Sequence, residues 1–163
     1  MKKTIVSVAT LCVLTTGLMA AGGDRSVKIG VSSISIDSQS GAGVTFGTDI
    51  VLFGSEKVDM IALVSGSTHK DGGFYGDIGF GARYNINNMF SVGALGEVAG
   101  YSYPGSNSNN SSLIGFVYGG EVRYHYNKHH GALLSYTVGS LSDYKGLVTI
   151  DSGAAKLSYV YNF

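Results

Sequence analysis

Apolar and polar side chains alternate along most of this chain, and the pattern is clearest in its last eleven residues. One parity there is small, aliphatic or aromatic, and the other is mostly polar. The apolar parity consists of Gly153, Ala155, Leu157, Tyr159, Tyr161 and Phe163. Because successive strand side chains point to opposite faces, the alternation predicts a strand with one apolar and one polar face. About 9–11 residues patterned in this way are typical of a membrane-spanning barrel strand.

The same period of two recurs in seven earlier segments. The predicted strands cover Arg25–Asp37, Ala42–Phe53, Val58–Ser67, Phe74–Ile86, Phe90–Tyr103, Leu113–Tyr126, Gly131–Leu141 and Gly153–Phe163. In the first segment the apolar parity slips before Ile34 and Ile36, which predicts a bulge or a position at the lip of the barrel near Ser33. An even strand number lets the last strand pair with the first and removes both sheet edges. The pattern predicts an all-β fold, an eight-stranded antiparallel up-and-down transmembrane β-barrel.

The connections between these segments alternate between short turns and polar loops. Short turns are predicted at 54–57, 86–89 and 127–130, and loops at 38–41, 68–73, 104–112 and 141–146. Outer-membrane barrels combine short periplasmic turns with longer external loops. We therefore expect the three turns on the periplasmic side and the four loops outside the cell.

The first residues have a different composition. Lys2 and Lys3 precede a run of apolar residues that ends in small residues at Ala20 and Ala21. This is the composition of a secretory signal peptide, and the run is short of the ~20 strongly apolar residues of a membrane-spanning helix. We predict a signal peptide at 1–21 and a barrel domain at 22–163. The single cysteine, Cys12, lies in the signal, so no disulfide or thiol chemistry is expected in the barrel.

Charge is sparse, at 13% of residues, and without Lys2 and Lys3 the chain has a small excess of acidic residues. No basic patch occurs, so nucleic-acid binding is not predicted. The charged residues fall mainly on the polar parity of the strands. The predicted interior network comprises Asp49, Asp77, Arg83, Glu97, Glu121, Arg123 and Lys156.

An eight-stranded barrel is just wide enough for side chains to fill it, and an isolated buried charge costs several kcal/mol. We therefore expect these charges to pair as a structural plug, with Lys156 at mid-height near Asp49, Glu97 and Glu121. Glycines at 79, 81, 93 and 119 are expected to make room for the long Arg and Lys side chains.

Aromatic residues gather at the predicted periplasmic strand ends, as in the interfacial girdles of membrane barrels. They are Tyr84, Phe90, Tyr124, Tyr126, Tyr161 and Phe163.

Three segments carry a family resemblance: residues 75–84 (YGDIGFGARY), 118–124 (YGGEVRY) and 157–163 (LSYVYNF). They resemble the small eight-stranded bacterial outer-membrane barrels of the outer-membrane protein A and opacity-protein type. The resemblance implies an integral outer-membrane protein of the Gram-negative cell envelope. It also implies that Leu157, Tyr159, Tyr161 and Phe163 form the C-terminal signal that the barrel-assembly machinery reads during insertion.

Candidate catalytic and metal-binding groups are weak. Ser91 and His125 could face each other on neighbouring strands, but Glu121 is about 13 Å from His125 by strand rise, too far to orient it. His125, His129 and His130 cluster at one turn without a nearby carboxylate, which favours a solvated turn over a metal site. We expect no enzymatic activity, no cofactor and no bound metal.

The sequence favours a non-enzymatic outer-membrane barrel with a structural or surface-interaction role through its short external loops. Its expected partners are outer-membrane lipids, the assembly machinery during insertion and an extracellular ligand of unknown identity. A narrow porin-like channel for small solutes or ions is the main alternative, and a lipid-modifying enzyme is the other.

Overall fold

The computed structural model describes residues 24–37, 39–70, 72–103, 112–143 and 146–163. The predicted signal peptide at 1–21 and nearly all of the predicted loop at 104–112 lie outside these residues. No helix in the described ranges is long and apolar enough to cross a membrane. The strands are β1 Arg25–Ile36, β2 Gln39–Gly54, β3 Val58–Thr68, β4 Phe74–Asn85, β5 Phe90–Ser102, β6 Ser112–His125, β7 His130–Asp143 and β8 Thr149–Asn162.

The strands form one closed antiparallel barrel. Each strand pairs with the next in sequence, and β8 returns to pair with β1 from Ser26↔Asn162 to Ile36↔Ser152. The predicted fold class is therefore confirmed. Closure satisfies the backbone hydrogen bonds of the first and last strands, which lipid could not satisfy.

Of the two alternatives predicted near Ser33, the bulge is wrong, whereas Ser33 is an exposed polar position toward the loop-side end of β1. The register of β1 is unbroken against both of its neighbours, and Ile34 and Ile36 point into the barrel on the same face as Lys28. The apolar residues of β1 change parity because its inward positions become apolar toward its C-terminal end. The irregularity of the β2–β3 pair lies instead between Val51 and Phe53.

Two predicted loops are shorter than expected. Some of their polar residues still form backbone hydrogen bonds between neighbouring strands. The ladder between β1 and β2 reaches Ile36↔Gln39, so most of the predicted loop at 38–41 is strand. Asp37 adopts a positive φ of 49° in the turn, a conformation that Asp tolerates better than most residues. At the last hairpin, Ser142 pairs with Thr149, which moves the connection from 141–146 toward its C-terminal side.

The outer face of the barrel is an exposed apolar belt. Its members are aliphatic or aromatic side chains that alternate with buried ones along each strand, as lipid-facing positions do. They include Ile29, Val31, Ile78, Phe80, Val98, Ile114, Phe116, Leu134 and Leu157. On the side of the four loops, outward positions change to polar residues such as Ser33, Ser140 and Asp151, so the strands continue beyond the belt.

Two of the lumenal glycines make room for acidic side chains. They were expected to make room for basic ones. A Cβ at Gly79 would lie 2.2 Å from the Gly96 carbonyl oxygen and 2.9 Å from Cγ of Glu97. A Cβ at Gly93 would lie 2.9 Å from Cγ of Glu121. These distances are below normal contact, so a larger residue at either position would displace an interior carboxylate.

We predict that Ile78→Arg, at an outward position in the middle of β4 that is 49% exposed, destabilises the barrel in lipid vesicles by about 2–4 kcal/mol. A charge in the hydrocarbon loses its hydration, whereas one beyond the belt keeps it. Ser140→Arg, outward on β7, is the matched control and should change the urea unfolding midpoint little. Equal midpoints for the two variants would contradict the placement of the belt.

Candidate functional site in the barrel lumen

Asp49 is the centre of the charge network in the lumen. It points inward from β2 and is 2% exposed. Its Oδ2 lies 3.2 Å from Nζ of Lys28, 3.4 Å from Nη2 of Arg83 and 2.6 Å from Nη2 of Arg123. Ser26 donates a hydrogen bond of 2.8 Å to its Oδ1. One carboxylate therefore gathers three cations from three other strands.

Arg83 extends this cluster across the lumen. Its Nε and Nη2 each lie 2.7 Å from Oε1 of Glu121, and both side chains are buried. We call Asp49, Lys28, Arg83, Arg123 and Glu121 the Asp49 cluster; it connects β1, β2, β4 and β6. Charge-assisted hydrogen bonds of this kind are about twice as strong as neutral ones.

Lys156 forms a second cluster with β3 and β4. Its Nζ contacts Asp77 Oδ2 and donates a 2.6 Å hydrogen bond to Ser65 Oγ, which in turn donates one of 2.6 Å to Asp77 Oδ1. Nζ also lies 5.5 Å from the centre of the Tyr75 ring, within cation–π range. The structure thus pairs Lys156 with Asp77 and not with the expected Glu97. Glu97 is buried nearby, and its Oε2 has no hydrogen-bond partner among the described residues.

The loop-side half of the lumen contains a cluster of buried apolar side chains, which the sequence analysis missed. We call this group the apolar plug: Ile34, Ile36, Tyr75, Ala99, Tyr101, Leu113, Val117, Leu141 and Ala154. All of these residues share the inward parity of their strands, so the pattern contained the signal. It was hidden by the assumption that the whole inward face would be polar.

The unfilled space in the lumen is unevenly distributed. A cavity of only about 20 Å³ lies between Lys28, Glu97 and Lys156, enough for about one water molecule. At the turn side a vestibule of about 280 Å³ is lined by Asp49, Arg83, Arg123 and residues of the rim. The lumen therefore has a polar vestibule on the turn side, and on the loop side it is filled by the apolar plug together with buried polar side chains such as Ser67 and Ser152.

The residues of the expected insertion signal point outward on β8. Tyr159 and Tyr161 contact two histidines of the β6–β7 turn: the Tyr159 hydroxyl meets Nδ1 of His130, and the His129 ring stacks on Tyr161 at 6.0 Å. Leu157 and Phe163 are exposed on the same face. His129 is exposed and His130 partly buried in the turn, and the rings of both contact the last strand.

Aromatic rings form two groups on the turn side of the barrel, where the girdle was expected. Phe90 and Tyr126 each lie 4.9 Å from Tyr124, centroid to centroid, and Tyr161 lies 5.1 Å from Phe163. The rings lie beside the apolar belt at its end, which is where a membrane interface would be.

The candidate catalytic residues Ser91 and His125 form no hydrogen bond with each other. Ser91 lies opposite Arg123 in the β5–β6 ladder, and its buried Oγ has no hydrogen-bond partner among the described residues. His125 is at the end of β6, where its backbone N–H donates to the Met89 carbonyl oxygen at 2.7 Å. Among the residues that the structure describes, no group of three or more His, Cys, Asp or Glu side chains is placed to hold a metal ion.

No protein-family model matches the chain. No curated protein matches it in sequence. Solved structures do match. Ail, the attachment invasion locus protein of Yersinia pestis, crystallised with the heparin analogue sucrose octasulfate, aligns with a TM-score of 0.60 and 17% identity over 88% of this chain and 100% of its own.

Two further structures are similar. Neisserial surface protein A aligns with a TM-score of 0.61 and 13% identity, covering 85% of this chain and 94% of its own. The N-terminal β-barrel domain of OprF from Pseudomonas aeruginosa aligns with a TM-score of 0.54 and 12% identity, covering 86% and 98%. The chain therefore has the fold of the small eight-stranded outer-membrane β-barrels.

We predict that Asp49→Asn lowers the free energy of unfolding by about 3–5 kcal/mol, because three buried cations lose their shared carboxylate. Asp151→Asn, at an exposed position, is the matched control and should change it by less than about 1 kcal/mol. Urea unfolding in vesicles, followed by the gel shift between unheated and boiled samples, measures both. A small effect of Asp49→Asn would show that the cluster is not a major source of stability.

A double-mutant cycle should identify the partner of Lys156. We expect Lys156→Met to destabilise the barrel because Asp77 is left buried and unpaired. Adding Asp77→Asn should recover more of the loss than adding Glu97→Gln, with an interaction energy of about 1–3 kcal/mol for the first pair. A larger coupling to Glu97 would contradict the observed pairing.

Proposed function

We propose that this chain is a non-enzymatic integral outer-membrane protein that acts through its external loop side and does not conduct ions. In this proposal residues 1–21 direct export, residues 22–163 form the barrel, and Leu157, Tyr159, Tyr161 and Phe163 are read by the assembly machinery. The carrying observation is the combination of an apolar outer belt with a filled lumen. The apolar belt is compatible with a position in lipid. The filled lumen makes the barrel a support for its loops.

The contents of the lumen argue against the channel alternative. An ion that enters the turn-side vestibule meets the Asp49 cluster, whose side chains are already paired. Beyond it lies the apolar plug, and moving an ion into such surroundings costs several kcal/mol even after relaxation. Conduction would require both layers to rearrange together.

The loop side provides the surface for interaction. Asp143 orders the last hairpin: its Oδ1 accepts hydrogen bonds from the backbone N–H of Leu147 at 2.8 Å and of Val148 at 3.2 Å. These two side chains are 78% and 51% exposed. Polar outward residues such as Ser142 and Thr149 separate them from the lipid belt. An ordered apolar tip above the membrane supports contact with another macromolecule.

The charge of the loops bears on the ligand. The outer connections carry Lys70 and Lys145 against Asp37, Asp71 and Asp143, so they are nearly neutral. Ail was crystallised with a sulfated heparin analogue, and such a polyanion needs a cluster of cations. The composition of these loops favours an uncharged or apolar ligand surface over a polyanion.

The non-enzymatic part of the proposal is supported by the separation of Ser91 and His125. A nucleophile and its base need hydrogen-bond contact at about 2.6–3.2 Å. Ser91 Oγ makes no such bond to any described residue and is buried beside Arg123.

The test is conductance of the refolded protein in planar bilayers. Because the plug and the Asp49 cluster lie in series, we expect no steady conductance from protein whose folding has been checked by the gel shift. Stable single-channel steps would favour the narrow pore. A change in the mass of lipid A when the protein is produced would contradict the non-enzymatic assignment.

A further inference from the structure

The tip of the hairpin between β7 and β8 extends into solvent. Leu147 and Val148 are 78% and 51% exposed, and a Cβ at Gly146 would have no described atom within 4 Å. Nearer the barrel, the side chain of Ile150 packs against the apolar plug. The hairpin is therefore anchored at its base, while the two aliphatic side chains at its tip remain in contact with water.

Backbone hydrogen bonds hold this tip in one conformation. The N–H of Asp143 donates to the Val148 carbonyl oxygen at 3.1 Å, and the N–H of Gly146 donates to the Asp143 carbonyl oxygen at 2.9 Å. Gly146 has a φ of 67°, which glycine adopts without strain. These bonds add to those that the Asp143 side chain accepts. A tip that is already ordered loses little conformational entropy when it binds.

The position of the tip along the barrel axis separates it from the membrane of its own barrel. Val138 is the last apolar outward residue of β7, and Ser140 and Ser142 follow it. From Val138 to Asp143 the strand rises about 17 Å, or about 12–14 Å along the barrel axis once a tilt of about 35–45° is counted. The head-group layer on each side of a bilayer is about 5–8 Å thick. Leu147 and Val148 therefore lie beyond the head groups around their own barrel.

The small size of the apolar tip favours a lipid surface over a protein. A specific protein interface buries about 800 Å² on each partner. Two aliphatic side chains on a convex hairpin provide only a small part of that area, and the adjoining Gly146 and Thr149 add little apolar surface. A lipid surface requires no matching shape, and binding to it scales with the apolar area that is buried.

The charge around the hairpin indicates which lipid surface is compatible. Asp143 and Asp151 lie on the hairpin, and the N–H of Asp37 donates to the Asp151 carbonyl oxygen at 3.1 Å, which places Asp37 beside it. In sequence the same hairpin contains one cation, Lys145. Anionic membranes attract basic segments, so this acidic excess disfavours them. A zwitterionic surface remains.

We propose that Leu147 and Val148 dock on the surface of a second membrane, composed of zwitterionic phospholipid, by shallow insertion of their side chains. This inference rests on the proposed function, because it names the partner of the loop side. One tip buries little area, so each contact is weak. Several copies in one membrane strengthen the contact by acting together.

The chain contains no tryptophan, which makes the insertion directly measurable. Leu147→Trp places a single indole at the tip and keeps the position apolar. The refolded variant is held in ordinary phosphatidylcholine vesicles, and a second population of phosphatidylcholine vesicles with brominated acyl chains is then added. We expect a blue shift and a saturable loss of tryptophan fluorescence, and a smaller loss when the added vesicles contain anionic phosphatidylglycerol.

Two matched variants show whether the loss belongs to the tip. Ser140→Trp, an exposed outward position lower on β7, should keep its fluorescence when brominated vesicles are added. Ile114→Trp, in the lipid belt, should also keep it, because a loss there would reveal lipid exchange or vesicle fusion. Val148→Trp is a second reporter at the tip. The gel shift confirms that every variant is folded.

Three outcomes would overturn the proposal. The first is unchanged fluorescence of both Leu147→Trp and Val148→Trp, which would leave a protein as the partner of the loop side. The second is an equal loss for Ser140→Trp. The third is quenching of the tip when the barrel itself is folded into brominated vesicles, which would place the tip in its own membrane. Failure of the proposed function is separate, because it appears as single-channel steps.

Discussion

Closure of eight strands around a narrow lumen brings inward charges into contact, and Asp49 is the carboxylate that most of the cations share. Its carboxylate is shared by Lys28, Arg83 and Arg123, and Arg83 also forms an ion pair with Glu121. Residues far apart in sequence are held together: Asp49 and Arg123 are 74 positions apart. Such contacts across the lumen are additional to the ladder hydrogen bonds and resist any widening of the barrel.

The two ends of the lumen differ in chemistry, and this asymmetry gives the molecule its direction. The turn side is polar and open as far as the Asp49 cluster, whereas the loop side is filled largely by the apolar plug. Tyr75 lies at the boundary, because it belongs to the plug and its ring also lies within cation–π range of Lys156. A molecule built in this way presents a solvated cavity on one side and a firm base for its loops on the other.

The outer surface is divided in a similar manner. The belt of Val98, Phe116 and Leu157 is exposed although it is apolar, which water would not favour and lipid would. Beyond it the strands continue as polar ladders, ending in the hairpin that Asp143 orders. The loop side therefore rests on hydrogen-bonded strands, which keeps Leu147 and Val148 in a defined position above the belt.

The sequence by itself determined the number of strands, the parity that faces the lumen and the turns at 54–57, 86–89 and 127–130. Alternation records these features directly, since each strand side chain points to one face or the other. It also contained the apolar plug, but Ile34 and Ile36 were interpreted as a slip in register, because a uniform polar lumen was assumed.

Only the tertiary structure decided which inward residues meet. Lys156 pairs with Asp77 and not with Glu97, and Arg123 reaches Asp49, because the stagger of neighbouring strands sets the relative heights of their residues. Alternation carries no information about that stagger. The vestibule depends on the same relative heights, so it too became visible only when the barrel was closed.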